Sequence, residues 1–331
     1  MRVLVTGHAG FIGLHMASAL LAAGHEVWGI DSLNAYYDPA LKRAREARLA
    51  GHPRFHGRHG LIEAPGALAA LMAEARPEAV IHLAAQAGVR HSIDHPRDYM
   101  AANIAGTFEL LEAARAHPPR HLLLASSSSV YGASGAMPYV ETARCAAPLS
   151  LYAATKLANE QMAHAYAHLY RLPVTMLRFF TVYGPWGRPD MAPALFTAAV
   201  MEGRALRLFN GGAMRRDFTH VADVAEAVRR LLDVVPVQGA AVPGDSLSPV
   251  APFRIVNIGH GQPVELTDFI AAIEAAAGRP AIRDPQPMQP GDVTATWADT
   301  RLLAALTGFR PQVGVAEGVR GYVEWWRGYY G

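Results

Sequence analysis

Residues 1–13 read Met-Arg-Val-Leu-Val-Thr-Gly-His-Ala-Gly-Phe-Ile-Gly, an apolar run meeting three glycines at intervals of three, Gly7, Gly10 and Gly13. The run predicts a buried strand over Val3–Val5, and the glycines predict a turn that opens a helix over Phe11–Ala23. Gly7 permits a tight turn, Gly10 lets a pyrophosphate approach the backbone, and Gly13 lets the helix pack on the strand. Phe11 and Ile12 stand in the first helical turn, where free N–H groups and the positive dipole end suit phosphate. A glycine triplet alone arises by chance in a chain rich in alanine and glycine, so its surroundings decide. The next strand candidate, Glu26–Ile30, runs into Asp31. A carboxylate there can take the ribose hydroxyls of a dinucleotide and would repel a 2′-phosphate, which favours NAD over NADP.

The same alternation continues outward. Ala79–Leu83, His121–Ala125 and Val174–Phe179 are further strand candidates, with helices expected over Pro65–Ala75, Tyr99–Ala116 and Leu151–Tyr170. Strands and helices alternating at this spacing imply an α/β fold, a Rossmann-type doubly wound parallel sheet. Beyond Gly184 the pattern becomes irregular and richer in Pro and Gly, and Val235–Pro252, with four prolines, reads as a long surface loop. One more helix is expected over Glu265–Ala277. The closing aromatics Tyr322, Trp325, Trp326, Tyr329 and Tyr330 have helical spacing that suits core packing.

Composition narrows the class. The chain has 331 residues, 51% hydrophobic and 18% charged, with 30 Lys+Arg against 28 Asp+Glu and a net charge of +2. That length and apolar content support about two domains with a large core and exclude a disordered chain. Without a basic run there is no electrostatic footprint for nucleic acid or a membrane surface. Cys145, the single cysteine, excludes an internal disulfide and a cysteine-based zinc site. No apolar stretch approaches a membrane span, and a strand at the very start leaves no room for a signal peptide, so a cytoplasmic protein is expected.

Chemistry concentrates in the middle of the chain. Tyr152 and Lys156 are four apart, on one helix face. A free phenol titrates near about 10, so its use as a base near neutral pH needs cations beside it, such as Lys156 and the oxidised nicotinamide ring. Alone, such a pair also fits a solvated helix face. Ser126-Ser-Ser-Ser129, at the end of a strand, offers hydroxyls that could share a proton with a substrate oxygen, or simply form a polar loop.

Four longer stretches carry a resemblance: Asp31-Ser-Leu-Asn-Ala-Tyr-Tyr-Asp-Pro39, His82-Leu-Ala-Ala-Gln-Ala-Gly-Val-Arg90, Phe179-Phe-Thr-Val-Tyr-Gly-Pro-Trp-Gly-Arg-Pro-Asp-Met191 and Met214-Arg-Arg-Asp-Phe-Thr219. Over almost its whole length the chain resembles the extended short-chain dehydrogenase/reductase superfamily, and within it nucleotide-sugar epimerases of the UDP-glucuronate 4-epimerase type. The resemblance implies that Gly7, Phe11, Gly10, Ile12, Gly13, Asp31 and Asn34 hold NAD, with Leu83, Ala84, Ala85 and Gln86 passing beneath it. Tyr152 would be the base, Ser127 its hydroxyl partner, and Lys156 would also bond the nicotinamide ribose. Arg216 would meet the UDP diphosphate. Arg188, Thr181, Ser128 and Ser129 would receive the sugar carboxylate, and the Gly291-Asp292 region would close over uridine and ribose. Arg90 reads either as approaching the substrate phosphate or carboxylate, or as a solvated arginine.

The resemblance also implies a second, smaller, mixed α/β domain for the nucleotide sugar, built from 184–216 and 253–331, against an NAD-binding domain of 1–183 that also receives about 217–234. A homodimer through the Tyr99–Ala116 and Leu151–Tyr170 helices is implied too. Related 4,6-dehydratases carry an Asp-Glu pair where this chain has Ser128 and Ser129, and related decarboxylases carry Glu at the second, so a proton relay at C5 or C6 is unsupported. Alternatives are a UDP-glucose 4-epimerase, another nucleotide-sugar modifying enzyme, or a non-catalytic NAD-binding sensor, which often lacks the Tyr/Lys pair kept here. Gly60 departs from the family by replacing an acidic residue that meets adenine. No metal is expected. His52, His56 and His59 are irregularly spaced in a loop bearing Pro and Gly and are expected to lack carboxylate or cysteine partners, and Cys145 has no adjoining base.

Overall fold

The computed structural model describes residues 1–133, 136–288 and 293–331. In chain order it forms β1 (Arg2–Thr6), α1 (Phe11–Ala22), β2 (Glu26–Asp31), α2 (Pro39–Ala50), β3 (Phe55–His59), α3 (Ala67–Ala75), β4 (Ala79–His82), α4 (His91–Asp94) and α5 (Pro96–Tyr99). A π-helical turn, Met100–Ala105, leads into α6 (Gly106–Ala116), then β5 (His121–Ser127), α7 (Leu151–Tyr170) and β6 (Val174–Phe179). The remainder holds β7 (Thr181–Tyr183), α8 (Ala192–Glu202), β8 (Ala205–Phe209), β9 (Arg215–Arg216), β10 (Phe218–His220), α9 (Val221–Leu231), β11 (Phe253–Ile258) and β12 (Val264–Glu265). It ends with α10 (Leu266–Ala277), β13 (Ile282–Gln286), β14 (Ala295–Thr296), α11 (Arg301–Thr307) and α12 (Val315–Tyr330). Among the described residues no helix is long and apolar enough to cross a membrane.

Seven strands pair in the order β11-β6-β5-β4-β1-β2-β3, all parallel. Near-continuous apolar strands such as β6, buried at all six positions, are what a sheet covered on both faces requires. One face packs Val3, Val5 and Ile81 against Leu14, Leu20 and Val228 from α1 and α9. The other packs Leu4, Val80 and Leu124 against Leu68, Leu111 and Ala163 from α3, α6 and α7. Strand order reverses between β1 and β4, and in such sheets ligands bind in the crevice beyond the strand C-termini at that point. A separate cluster, with Phe196, Leu206, Phe269 and Val323, joins α8, β8, α10 and α12.

Several expectations change. The stretch beyond Gly184 is regular, not irregular: α8 and α9 are full helices, with α9 burying Val221, Val224, Val228 and Leu231 along one face. Residues 253–331 do not fall wholly into a second body. β11 is the edge strand of the central sheet, and Leu302, Leu303 and Phe309 pack into its core. The helix expected over Tyr99–Ala116 is instead α5, a π-helical turn and α6, because Pro96 starts one helical turn just before it. Of the closing aromatics, only Tyr322 is fully buried. Trp325 and Tyr329 stack against each other and pack on Trp186.

Candidate active site

The glycine turn lies at the C-terminus of β1, beside the point where strand order reverses. Gly7 has φ +77°, and a Cβ on it would stand 2.8 Å from Ala84 N; a Cβ on Gly13 would lie 1.9 Å from Gly7 O. No side chain among the described residues caps α1, and its first turn carries no acid. Its Phe11 is buried and Ile12 half-buried. Thr6 Oγ1 accepts from Leu83 N (3.2 Å) and Ala84 N (3.1 Å) and sits 2.8 Å from His82 Nδ1. One hydroxyl thereby holds the exit of β4 against the turn. Asp31 is buried, with Oδ2 accepting from Ala9 N at 3.1 Å and Oδ1 from Leu33 N at 2.8 Å. Asn34 receives Lys42 Nζ on its backbone and side-chain oxygens, at 2.8 and 2.5 Å. Burial pushes Lys42 down to about 8, while Asp31 opposes that fall. An uncapped helix start, a glycine-lined turn and a carboxylate at the end of β2 fit the phosphates and ribose of a dinucleotide. At position 60, glycine offers only a backbone N–H, which donates to Asp31 O at 3.0 Å.

Ser150 begins α7 by accepting Ala153 N on its hydroxyl at 3.1 Å. Tyr152 follows half-buried, and Lys156 one turn later is buried. Burial raises the Tyr152 phenol, opposed by a hydrogen bond with Ser127 and by the charge of Arg188. Lys156 Nζ donates to Ala125 O at 2.9 Å, and burial pushes its ammonium down to about 8. The charge of Arg188 lowers the Tyr152 phenol, while Lys156 is tied to β5 and its charge is felt at His82. Ser127 Oγ donates to Ser129 Oγ at 3.1 Å and accepts from Ser129 N at 3.2 Å. Ser126 is directed to Glu160, 2.6 Å away, which Arg178 holds at 2.8 and 2.9 Å. Alternation along β5 thus sorts the serines, Ser126 into a buried ion pair and Ser127 toward Tyr152.

Arg188 is held from three directions. Asp190 takes its Nε at 3.0 Å and Nη2 at 2.5 Å, Ala87 O accepts Nη2 at 3.3 Å, and the guanidinium lies 5.8 Å from the Tyr36 ring. Tyr36 in turn donates to Asp190 Oδ2 at 2.9 Å. Burial opposes the charged guanidinium, but Asp190 raises its pKa beyond the usual value. Thr181 opens β7, its N–H donating to Asp217 O at 3.2 Å, and Ser128 is half-buried in a single 3-10 turn. Arg216 Nη2 donates to Val293 O at 2.6 Å, and its charge reaches Tyr139. Arg90 is exposed, over the Phe209 ring at 5.1 Å. Asp292 lies outside the described residues. Ala85 is half-buried and Gln86 buried.

Three contributors were not singled out from the sequence. Asn103, buried in the π-helical turn, accepts Gln86 N at 2.8 Å and donates to Gln86 O and to Thr155 Oγ1, both at 3.0 Å. It joins the β4 exit to the turn of α7 that carries Lys156. Arg45, fully buried, donates to Ala9 O, Tyr37 Oη, Trp186 O and Gly187 O. Tyr99 donates to Gly88 O at 2.5 Å and sets its ring 6.0 Å from that of Tyr152. A lone polar residue in an apolar helical stretch was the available signal for Asn103. Contrary to expectation, His56 and His59 lie in β3 and have carboxylate partners, Glu26 and Glu46, while His52 Nδ1 accepts Arg54 N.

A family model described as the NAD dependent epimerase/dehydratase family matches residues 3–242. A probable UDP-glucuronate 4-epimerase of Rhizobium meliloti (strain 1021) is 50% identical, with 98% of this chain and 97% of that protein aligned. UDP-glucuronate 4-epimerase 3 of Arabidopsis thaliana is 41% identical, over 99% of this chain and 77% of its own length. Among solved structures, UDP-glucuronic acid 4-epimerase from Bacillus cereus, in complex with UDP-glucuronic acid and NAD, superposes with a TM-score of 0.88 at 32% identity, covering 100% of both chains.

Proposed function

The chain belongs to the NAD dependent epimerase/dehydratase family, and from that premise we propose that it interconverts UDP-glucuronate and UDP-galacturonate by NAD-dependent 4-epimerisation. The carrying observation is that Tyr152, its phenol lowered by Ser127 and the charge of Arg188, stands one helical turn before buried Lys156 on α7, which Asn103 and Thr6 tie through the β4 exit to the end of β1, where the glycine turn opens the uncapped α1. In this reading Gly7, Gly10, Gly13, Phe11 and Ile12 receive the diphosphate of NAD, and Asp31 with Asn34 its adenosine ribose. Leu83 to Gln86 line its underside and Lys156 meets its nicotinamide ribose. NAD held there would supply a hydride acceptor and donor at the sugar C4.

Tyr152 takes the C4 hydroxyl proton, with Ser127 bridging the two oxygens, and gives it back when the ketone is reduced. A 4-keto uronate is a β-keto acid and loses carbon dioxide when its C5–C6 bond aligns with the carbonyl π system. Arg188, with Ser128, Ser129 and Thr181, holds the carboxylate out of that alignment. Asp190 engages Nε and Nη2 of Arg188, which leaves the Nη1 edge for the sugar. Arg216 meets the UDP diphosphate, and Asp292 and Arg90 complete the nucleotide-sugar side. The cofactor side comprises 1–183 with 217–234 and β11; the sugar side takes 184–216 and the rest of the C-terminal part apart from α11. Exposed Met100, Phe108, Leu169 and Tyr170 support a homodimer through the α6 and α7 region, and a cytoplasmic location suits a nucleotide-sugar substrate.

The test is a product assay of the purified protein with UDP-glucuronate, UDP-glucose and UDP-xylose in parallel, with bound cofactor identified after denaturation. UDP-galacturonate from the first substrate is expected. Turnover confined to UDP-glucose would move the protein to the neutral-hexose epimerases, and no product from any sugar would make it a binding module.

A further inference from the structure

Away from Tyr152, α4 and α5 gather three side chains that each carry a metal-ligating atom. The ligand atoms of His91, His95 and Asp98 all lie within 4.8 Å of one another. His91 Nε2 stands 3.2 Å from Asp98 Oδ2, and the His91 and His95 rings stack with centroids 4.3 Å apart and planes at 24°. The backbone explains the convergence. His91 opens α4, His95 follows one turn later and breaks the helix at φ −127°, ψ 58°, and Pro96 starts α5 so that Asp98 folds back beside His91.

We propose that His91, His95 and Asp98 form a site for a divalent first-row transition ion, with solvent in the remaining positions. Tetrahedral coordination with bonds of about 2.0–2.1 Å puts ligand atoms roughly 3.3 Å apart, which the His91–Asp98 pair already meets. His95 and Asp98 are exposed and can rotate to close the remaining edge. Two imidazoles and one carboxylate suit Zn²⁺, Ni²⁺ or Cu²⁺ in preference to Mg²⁺ or Ca²⁺. His91 is pre-oriented, its ring set 4.5 Å from that of Tyr36 and 6.0 Å from that of Tyr99. An ion here would fasten α4 to α5. It would thereby steady Tyr99, whose hydroxyl holds Gly88 O, next to the Ala87 carbonyl that accepts Arg188. The site stands independently of the epimerase reading.

The experiment uses tag-free full-length protein, stripped with chelator and titrated calorimetrically with ZnCl₂, and with MgCl₂ in parallel. One Zn²⁺ per chain with micromolar affinity is expected, with Mg²⁺ silent. His95→Ala and Asp98→Asn, both at exposed positions, should each weaken Zn²⁺ about tenfold or more while keeping the wild-type NAD content that reports an intact fold. Electron paramagnetic resonance of the Cu²⁺ form should show two coupled imidazole nitrogens, reduced to one in His95→Ala. Absence of saturable binding up to about 1 mM, binding unaltered in both variants, or a copper spectrum unchanged in His95→Ala overturns the site.

Discussion

Burial raises the Tyr152 phenol, and Ser127 and Arg188 oppose that rise. A cation stabilises phenolate, so removing one raises the pKa and moves the acid limb of the rate profile to higher pH. Arg188→Gln is therefore expected to shift the acid limb of kcat upward, on the order of half to one pH unit, and to raise the pentose-to-epimer product ratio; pH–rate profiles with product chromatography measure both. An unmoved limb would mean that Arg188 does not act on the phenol. Tyr152→Phe is expected to lower kcat about a thousandfold, with NAD content and melting midpoint close to wild type. A loss under tenfold would remove the tyrosine from its role as base. Tyr152, Lys156 and the three glycines were legible because their spacing along one turn is itself the signal. Asp190 and Tyr36 were not: the pair that engages Arg188 meets across 154 residues of chain, and no local pattern records a contact made by loops. The histidines show the same limit: His52, His56 and His59 are close in sequence, but it is the break at Pro96 that brings His91 and His95 together with Asp98.

Among the elements, α2 carries more of the site than its polar sequence suggests. Asp38 accepts Ala40 N and Pro39 sits at the first turn, a well-formed helix start. From it Arg45 reaches the glycine turn at Ala9 O and the Trp186–Gly187 loop at once. Arg45→Met would keep much of the stem's packing but strand buried carbonyls without donors, at about 1–3 kcal/mol each. A loss of about 3 kcal/mol in urea unfolding is expected, together with weakened NAD retention. Arg45→Lys should not restore it, because one ammonium cannot replace a planar fork that spans two loops; full rescue by lysine would show that only the charge matters. The apolar strands β1, β2, β4, β5 and β6 were legible as runs and as period. β13 was not, because its five residues are exposed or half-buried and show no alternation; backbone pairing with β8 holds it.

Across the whole molecule, folding lowers the pKa of five described histidines, and three of them, His15, His82 and His121, move far from the ordinary value. Burial pushes His15 to about 4 and His121 to about 4, and burial with the Lys156 charge pushes His82 to about 3. They mark distant points: His15 bonds Pro185 O, His82 lies under the glycine turn, and His121 joins Thr175 to Leu232 O. Unfolded, each titrates near about 6.5. Between that value and about 4 the unfolded chain binds protons that the native chain does not, so stability falls as pH falls through this window. Glu141 works in the opposite sense, since burial raises it to about 7. The native chain then holds a proton that the unfolded chain releases above about 4.5, and this contribution is lost as pH rises through about 7. Three histidines outweigh one glutamate. Unfolding free energy at fixed NAD is therefore expected to drop on the order of 2 kcal/mol per pH unit between pH about 6.5 and 4.5, with a shallower slope in His82→Gln. Urea unfolding midpoints across that range decide it, because a flat profile, or a slope untouched in the variant, would mean that these histidines accept protons without leaving the fold.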